Sequence, residues 1–316
     1  MGQAEAGPGR FGRLLHLGNV VVDIVVTVPA LPERGGDVLA SRAAAAAGGG
    51  FNVLAAAARQ GLRAAYAGAH GTGPFGTLAR AALAAEGIEV IQPTKAGLDT
   101  GFVLTMVEAG GERTFLTSRG AEATLTAADL DRVSPAAGDA IYLSGYGLVH
   151  DSNRAALLGW LPRLGGGQTV FFDPGPLVGS IPAAALAAVL ARADWLACNA
   201  REAAILTGRA DPRQAAAKLA GRAGRLRVLV RTGPGGCLIA RPGAGVVHVP
   251  GFPVGVVDTN GAGDAHSGAF IAALAAGAAD VAAARSANAA AALSVTRRGP
   301  ATAPTREELA QFLATA

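Results

Sequence analysis

The chain has 316 residues, of which 51% are hydrophobic and 16% are charged, and its formal net charge is +4. This balance excludes a disordered chain, and the 45 glycines follow no collagen period. The longest uncharged stretch, Pro174–Ala191, is broken by prolines, so we predict no membrane-spanning helix. Cys198 and Cys237 are too few for a disulfide framework, which favours a cytoplasmic protein.

The N-terminal part of the chain predicts a loose tail followed by short strands. Residues Met1–Gly12 contain no apolar run and are predicted to be a flexible tail. The apolar, β-branched run Leu14–Val22 predicts one buried strand, and the alternation continues over Ile24–Val28. A further short strand is predicted at Val38–Arg42. An Ala-rich helix at Phe51–Gln60 follows, because Gly61 suits the position after a helix end.

The next region contains a hairpin signal. We predict a strand at Arg63–Gly68, a helix at Gly76–Glu86, and two strands at Phe102–Val107 and Arg113–Ser118 around a Gly-containing turn. The hairpin does not fit an alternation of strands and helices. We therefore predict a small separate β-sheet, a lid formed by segments 24–42 and 101–118.

From about Ala140 the pattern alternates between strands and helices. The predicted strands are Ala140–Leu143, Thr169–Phe172, Trp195–Ala197, Arg227–Val230 and Val246–Val249. The predicted helices are Asn153–Leu164, Pro182–Arg192, Arg201–Thr207, Pro212–Gly224, Asp264–Ala276 and Asp280–Val295. Such alternation is typical of a parallel sheet with helices on both faces. The sequence thus predicts an α/β domain.

One glycine pattern points to a different class of enzyme. Gly71–Gly76 has the spacing G-x-G-x-x-G between a predicted strand and a predicted helix. A dinucleotide-binding loop also needs an acidic residue about twenty positions later, at the end of the next strand. Glu89 and Asp99 are the only candidates, and neither ends such a strand. We favour a structural turn and keep a Rossmann-type dehydrogenase as the weaker alternative.

The densest basic run offers little for a nucleic-acid partner. Arg222, Arg225, Arg227 and Arg231 have no aromatic residue between them on which bases could stack. The run is more typical of a helix end that passes into a strand, and we predict no nucleic-acid binding.

The strongest chemical signal is the segment Val256–Asp264, which precedes an apolar helix. Two glycines at a helix start place backbone N–H groups around one point, where phosphate or a developing negative charge is stabilised. Asp264, in the first turn, could accept a proton from an attacking hydroxyl. An Asp in the first turn is also common as a helix cap; the Gly-x-Gly before it and Asp258 six residues earlier favour a function.

Five segments resemble, in the same order, the signatures of the ribokinase-like PfkB family of carbohydrate kinases: Gly18–Asp23, Ala47–Gly61, Asn199–Glu202, Arg231–Gly236 and Asp258–Asp264. The resemblance covers roughly residues 14 to 315. It implies a ribokinase-like three-layer α/β/α domain over residues 13–316, with a mostly parallel central sheet and a small lid. The implied activity is ATP-dependent phosphoryl transfer to a primary hydroxyl of a sugar. A nucleoside kinase of the same fold, including a pseudouridine-type kinase, is the alternative.

The resemblance also implies roles for individual residues. Asp264 would be the base, and Gly261, Ala262 and Gly263 would form the anion hole. Asp23, Gly49, Gly50 and Asn52 would bind the sugar, although Asn52 could equally be a helix cap. The nucleotide would contact Asn199, Thr232, Gly233, Gly236 and Asn288, of which Asn288 could also be an ordinary helix-surface residue.

Two ions are implied by the same resemblance. Glu202 would hold Mg²⁺ through water, although a carboxylate at a helix start is otherwise common. A monovalent cation such as K⁺ would bind Asp258 and the carbonyls of Asn260, Ser294 and Gly299. Ala303 stands where the family often supplies a serine to that cation site.

Two further residues differ from those that are usual in the family. Val21 replaces an asparagine found in many ribokinases, which weakens a ribose assignment. Arg231 replaces a residue that is usually small or β-branched. The lid hairpin has one apolar face, and similar lids often pair across a homodimer, so we also predict a homodimer.

Overall fold

A nine-stranded sheet forms the centre of the computed structural model, which describes residues 11–222 and 224–316. In chain order the strands are β1 (Arg13–His16), β2 (Val20–Thr27), β3 (Arg42–Gly49), β4 (Ala64–Tyr66), β5 (Glu89–Val90), β6 (Phe102–Val107), β7 (Arg113–Ser118), β8 (Asp139–Ser144), β9 (Thr169–Asp173), β10 (Trp195–Asn199), β11 (Arg227–Arg231), β12 (Cys237–Arg241) and β13 (Gly245–Val249). The large sheet has the order β13-β12-β11-β10-β9-β8-β1-β4-β5. All its pairs are parallel except β11–β12 and β12–β13.

Helices cover both faces of this sheet. They are α1 (Gly50–Arg59), α2 (Pro74–Ala85), α3 (Ala127–Leu130), α4 (Tyr146–Val149), α5 (Asp151–Trp160), α6 (Ala183–Arg192), α7 (Ala200–Thr207), α8 (Pro212–Ala220), α9 (Ala262–Ala275), α10 (Asp280–Val295) and α11 (Arg306–Thr315). Successive strand residues point to opposite faces: Leu14 and Phe171 belong to one core, and Leu15 and Phe172 to the other. The predicted mostly parallel α/β architecture with helices on both sides is confirmed.

A second sheet has four strands in the order β3-β2-β6-β7. The predicted hairpin Phe102–Val107 with Arg113–Ser118 is present with those bounds, and β6 pairs in parallel with β2. Phe75 at the start of α2 contacts Phe102 on β6, with 5.3 Å between the ring centroids. The small sheet that the sequence predicted is therefore confirmed as separate from the main sheet.

Two strand predictions near the N-terminus are wrong. The run Leu14–Val22 is not one strand, because the chain leaves the main sheet after His16 and enters the small sheet at Val20. Gly18 allows this bend: its N–H donates to His16 Nδ1, and an added Cβ would lie 2.4 Å from the His16 ring. Residues 38–41 form no strand; β3 begins at Arg42 and contains the alanine run that was not predicted. Strand β12 and helix α11 were also missed.

The bounds of some predicted segments, including the N-terminal tail, also differ from those in the structure. The first ten residues of the predicted tail and Ala223 of the predicted helix Pro212–Gly224 lie outside the described residues. Phe11, assigned to the tail, is buried and packs edge-on against Phe171, and Gly12 N–H donates to the Gly138 carbonyl. The packed fold therefore includes these two residues. Across the described ranges, no helix combines the length and the apolar character needed to span a membrane.

Candidate active site

Four polar residues end adjacent parallel strands at one edge of the main sheet. Ser144 on β8 is in register with Asp173 on β9, and Asn199 on β10 is in register with Arg231 on β11. Ligands of open α/β sheets bind at this carboxyl edge because the loops that leave the strands converge there. The candidate site lies along this edge.

Asp264 lies in the first turn of α9, which begins after Gly261. Gly261 has a left-handed φ of 73°, a conformation that glycine adopts without strain, and it turns the chain into the helix. Asn52 on α1 donates from Nδ2 to Asp264 Oδ2 at 3.0 Å. The predicted base is therefore held by a residue that the sequence assigned to the sugar.

Burial and charge set the protonation of Asp264. Desolvation raises its pKa to about 7, and the neighbouring carboxylates of Asp173 and Asp23 also raise it. The hydrogen bond from Asn52 and the charge of Arg231 lower it. A carboxyl group with a pKa near neutrality suits proton transfer at physiological pH.

Arg231 is the cation at the centre of this edge. Its guanidinium donates to Asp173 Oδ2 from Nη1 and Nη2, each at 3.0 Å, and to Ser267 Oγ on α9 at 2.9 Å. It also lies 3.3 Å from the Gly263 carbonyl and 3.9 Å from Glu202 Oε2. Only 14% of its side chain is exposed. This arginine thus joins β9, β11, α7 and the start of α9.

Asp23 on β2 faces the same space from the small sheet. Desolvation raises its pKa to about 6, and a hydrogen bond from the Asn260 side chain lowers it. A Cβ added at Gly48 would lie 2.2 Å from Asp23 Oδ2, so the carboxylate fits only because position 48 is glycine. Asp23 and Asp264 are electrostatically linked, because the charge of Asp23 raises the pKa of Asp264.

The predicted sugar-binding glycines make close contacts within the protein. Gly49 has a φ of 59°, and an added Cβ would lie 2.7 Å from the Asn19 carbonyl oxygen. A Cβ at Gly50 would lie 2.3 Å from His16 Cε1. These contacts alone require glycine at both positions, whereas the approach of a sugar to their backbone stays a prediction.

The N-x-x-E segment forms a capping box at the start of α7. Asn199 Oδ1 accepts from the Glu202 N–H at 2.8 Å, and Glu202 Oε2 accepts from the Asn199 N–H at 2.8 Å. Glu202 Oε1 also accepts from Asn199 Nδ2 at 2.7 Å. Burial and the nearby Asp173 raise the pKa of Glu202. Both acceptor oxygens therefore already have donors within the protein.

The predicted nucleotide loop is a tight turn between β11 and β12. The N–H and Oγ1 of Thr232 both donate to the Gly236 carbonyl, at 2.8 and 3.0 Å. Gly236 has a φ of 91°, and an added Cβ would lie 2.2 Å from the Val249 carbonyl. Gly233 is exposed at the outer end of the turn.

Asn288 on α10 makes hydrogen bonds within the protein. Its Nδ2 donates to the carbonyls of Val249 and Pro250, at 3.0 and 2.9 Å, and its Oδ1 lies 3.0 Å from His266 Nε2. It is 5% exposed. Because both amide hydrogens are used inside the protein, Asn288 anchors the segment after β13, and its contact with adenine stays a prediction.

The predicted cation ligands converge around Asp258. Its Oδ1 accepts from Arg113 Nη2 at 2.7 Å and from the Asn260 N–H at 2.9 Å, and its Oδ2 accepts from the Gly299 N–H at 3.0 Å. Ser294 is buried nearby on α10. The carboxylate already carries a cationic partner, which comes from β7 of the small sheet.

Comparisons with known proteins agree on one family. Residues 13–307 match the model described as pfkB family carbohydrate kinase. The chain belongs to the pfkB family of carbohydrate kinases. As a member of that family, it is an ATP-dependent carbohydrate kinase that acts on a sugar, ribose or nucleoside.

Three relatives illustrate the range of the family. The uncharacterized sugar kinase YegV of Escherichia coli (strain K12) is 34% identical over 94% of this chain and 92% of that protein. The ATP-dependent ribose-1-phosphate kinase of Halopiger xanaduensis is 31% identical over 95% of this chain and 98% of that protein. The structure of Arabidopsis thaliana ribokinase complexed with ribose and ATP has a TM-score of 0.78 at 25% identity, and the match covers 96% of this chain and 99% of that chain.

The G-x-G-x-x-G segment has a different use in this kinase. The Asp99 carboxylate accepts from the backbone N–H groups of Phe75 and Gly76, at 3.1 and 2.8 Å, at the start of α2. A side chain of the protein thus occupies the place where a dinucleotide would put its pyrophosphate. The segment is a structural turn, as the sequence favoured, and the dehydrogenase alternative has no site here.

Three residues of the site were not assigned from the sequence. Asp173 and Arg231 form the ion pair at the strand ends. The third residue is Tyr146 on α4. Desolvation is the largest cause that raises the pKa of its phenol to about 12, and the charge of the nearby Asp264 is the next. The positions of Asp173 and Arg231 could have been found, because each directly ends a predicted parallel strand and such ends share one edge. Tyr146 carries no comparable signal.

Proposed function

We propose that this kinase transfers the γ-phosphoryl group of ATP to a primary hydroxyl of a sugar, with Asp264 as the base. The observation that carries the proposal is the Asp264 carboxyl at the start of α9, hydrogen-bonded to Asn52 and with its pKa raised to about 7 by burial. The acceptor oxygen attacks the γ-phosphorus, its proton passes to Asp264, and the bond to the β-phosphate oxygen breaks so that ADP leaves.

The start of α9 would stabilise the transferring group. Helix N-termini offer unpaired N–H groups and a positive dipole end to an anion. The Ala262 N–H lies 3.3 Å from the Thr259 carbonyl, so Gly261 and Gly263 would be the better donors of the proposed anion hole. Arg231, close to Gly263, adds a buried positive charge to the same region. Charge stabilisation of this kind supplies most of the catalysis in phosphoryl transfer.

Magnesium would arrive with the nucleotide. Within the described residues there is no cluster of three or more His, Cys, Asp or Glu side chains that could hold a metal. Such a site is not required, because Mg²⁺ keeps several waters and binds through one or two carboxylates together with substrate phosphates. Glu202 fits that requirement, because each of its oxygens has one donor and keeps a lone pair, and it would hold the waters of the ion. The ion would neutralise charge on the phosphates.

The acceptor would bind between Asp23 and Asp264. Asp23 suits a polyhydroxylated molecule, because a carboxylate accepts hydrogen bonds from two neighbouring hydroxyls. The four-stranded sheet that carries Asp23 would act as the lid of the pocket. The names of relatives include a ribose-1-phosphate kinase and a fructokinase, which supports a sugar or sugar phosphate. A nucleoside is the alternative, since its ribosyl group presents the same primary hydroxyl.

The test is a coupled assay of ADP release with a panel of acceptors. The panel contains ribose, fructose, ribose 1-phosphate and several nucleosides, with Mg²⁺ and ATP constant, and ³¹P NMR identifies the phosphorylated hydroxyl. We expect one class of acceptor to release ADP far above the level given by Asp264→Asn. ADP release that is equal for wild type and Asp264→Asn with every acceptor contradicts the proposal.

A further inference from the structure

The loop that leads into the anion hole is tied to the small sheet by one ion pair. Arg113 begins β7, and Asp258 lies six residues before Asp264. Arg113 and Asp258 are 145 residues apart in the sequence. Arg113 Nη2 donates to Asp258 Oδ1 at 2.7 Å, and the exposed fractions of the two side chains are 30% and 14%. This pair is partly shielded from water, so its attraction is less screened than that of a surface pair.

Oδ1 of Asp258 already has two donors, so only Oδ2, which has one donor, keeps a free lone pair. Burial alone would raise its pKa, but the hydrogen bonds from the backbone of Asn260 and from Arg113 and Gly299 lower it. Three donors therefore surround the two carboxylate oxygens, and one of these donors already has a positive charge.

Of the other predicted ligands of a monovalent cation, the Ser294 carbonyl is also engaged. The Ser294 carbonyl accepts from Thr302 Oγ1 at 3.0 Å and from the Arg297 N–H at 3.1 Å. Ala303 contributes no side-chain oxygen, and its carbonyl accepts from Arg59 Nη1 at 2.8 Å. A bound K⁺ needs several oxygens whose lone pairs replace its water shell. With Arg113 bound to Asp258, the residues present do not fit the monovalent cation that the sequence suggested.

We propose that the Arg113 guanidinium takes the place of an activating monovalent cation, so that this kinase works independently of K⁺. The inference rests on the proposed function, because it concerns the loop that shapes the proposed anion hole. Asp258 accepts from the Asn260 N–H, and Gly261 follows directly as the residue that turns the chain into α9. Arg113 is a positioning residue: it neutralises Asp258 and thereby fixes the loop.

The positive charge that neutralises Asp258 comes from the four-stranded sheet. A free ion would bind from solvent, whereas Arg113 arrives on the same sheet as Asp23, the proposed acceptor ligand. The Asn260 side chain, one residue before Gly261, also lies close enough to Asp23 to lower the pKa of that carboxyl. Closure of the sheet over an acceptor and fixing of the anion-hole loop are then one event, because both depend on contacts with residues 258–260.

The experiment compares two salts at a constant ionic strength of about 0.1 M, KCl and tetramethylammonium chloride, whose cation is too large for such a site. Activity and the midpoint of thermal unfolding are measured for wild type, Arg113→Ala, Arg113→Lys and Arg42→Ala. Arg42 is a matched control: it lies on β3 of the same sheet and is exposed. The unfolding midpoint does not depend on knowing the acceptor.

We expect the wild type and Arg42→Ala to respond equally to the two salts. Arg113→Ala should lose about tenfold in kcat without K⁺, less than the loss of a direct oxyanion donor causes, and K⁺ should restore most of that loss and raise the unfolding midpoint of this variant alone. Arg113→Lys, which keeps the charge, should resemble wild type.

Two outcomes overturn the inference: specific activation or stabilisation of the wild type by K⁺, and an Arg113→Ala protein whose unfolding midpoint is the same in both salts. Neither depends on whether a sugar is the acceptor. If no compound of the acceptor panel is phosphorylated, the proposed function is contradicted. The unfolding data still decide the role of Arg113 in that case.

Discussion

The carboxyl edge of the main sheet and the four-stranded sheet hold their charges in different ways. At the main-sheet edge, Arg231 and Asp173 are each less than 15% exposed and lie in a network of hydrogen bonds. On the four-stranded sheet, Asp23 and Arg113 have polar partners in the loop 258–260, which lies outside that sheet. The charged side chains at the main-sheet edge are held by burial and by one another. Those of the four-stranded sheet are held by contacts with the loop 258–260. Substitutions in the two regions should therefore change different kinetic constants.

The largest effect is expected at the main-sheet edge, for Asp264→Asn. Loss of the base should lower kcat by about 10²- to 10⁴-fold, while nucleotide affinity measured by calorimetry stays near that of the wild type. Asp211→Asn is the matched control, because Asp211 only caps the exposed start of α8. A kcat of Asp264→Asn equal to that of the control contradicts the assignment.

Arg231→Gln should have the next largest effect. Removal of the buried charge should lower kcat by roughly 10- to 100-fold. Because Arg231 lowers the pKa of Asp264, the acidic limb of the pH–rate profile should also move to higher pH. Arg231→Lys should leave that limb in place, and an unmoved limb in Arg231→Gln speaks against electrostatic coupling of the two groups.

On the four-stranded sheet, Asp23→Ala should change acceptor binding and not chemistry with ATP. Loss of hydrogen bonds to a charged group should raise KM for the acceptor by roughly 10- to 100-fold, with KM for ATP unchanged. Steady-state kinetics with each substrate varied in turn measures this. An equal rise of both constants would remove the distinction between the two regions.

The raised pKa of Asp264 also predicts a small effect on stability. The folded protein keeps this proton up to about pH 7, whereas an unfolded chain with the ordinary value of 3.8 releases it far lower. The contribution of this group to stability is therefore lost as the pH rises through 7. The thermal midpoint of wild type should fall relative to Asp264→Asn between pH 5 and pH 8, by about a few degrees; parallel curves for the two proteins would show that the pKa is not raised.

The smallest change tests the homodimer that the sequence suggests. Leu116 on β7 is 51% exposed, so its face of the four-stranded sheet offers apolar area to a second copy. Light scattering should give a dimer for wild type and a monomer for Leu116→Asp, with Thr117→Asp on the same strand as the control. A wild-type monomer at micromolar concentration removes the dimer and leaves the comparison of the two sheets unchanged.

Local patterns in the sequence predicted much of the fold and the base of the site. The hairpin β6–β7 and the strands around Asp173 and Asn199 follow from periodicity and turn residues, because these depend on neighbours a few positions away. The same holds for the capping box at Asn199 and for the helix that begins beside Asp264. The alanine run in β3 was missed because alanine favours a helix, and only pairing with β2 makes this segment a strand.

The partners of the charged groups depended on tertiary structure. Asn52 reaches Asp264 across 212 residues, and Arg113 reaches Asp258 across 145. The sequence showed that Arg231 replaces a residue that is usually small or β-branched in the family. Its ion pair with Asp173, however, depends on the order of β9, β10 and β11 in the sheet. Periodicity specifies which face of a segment is buried, whereas strand order and register decide which side chains meet. For this reason the sequence alone predicted Asp264 as the base, whereas the packing of two sheets decided that Asn52 contacts Asp264 and that Arg113 contacts Asp258.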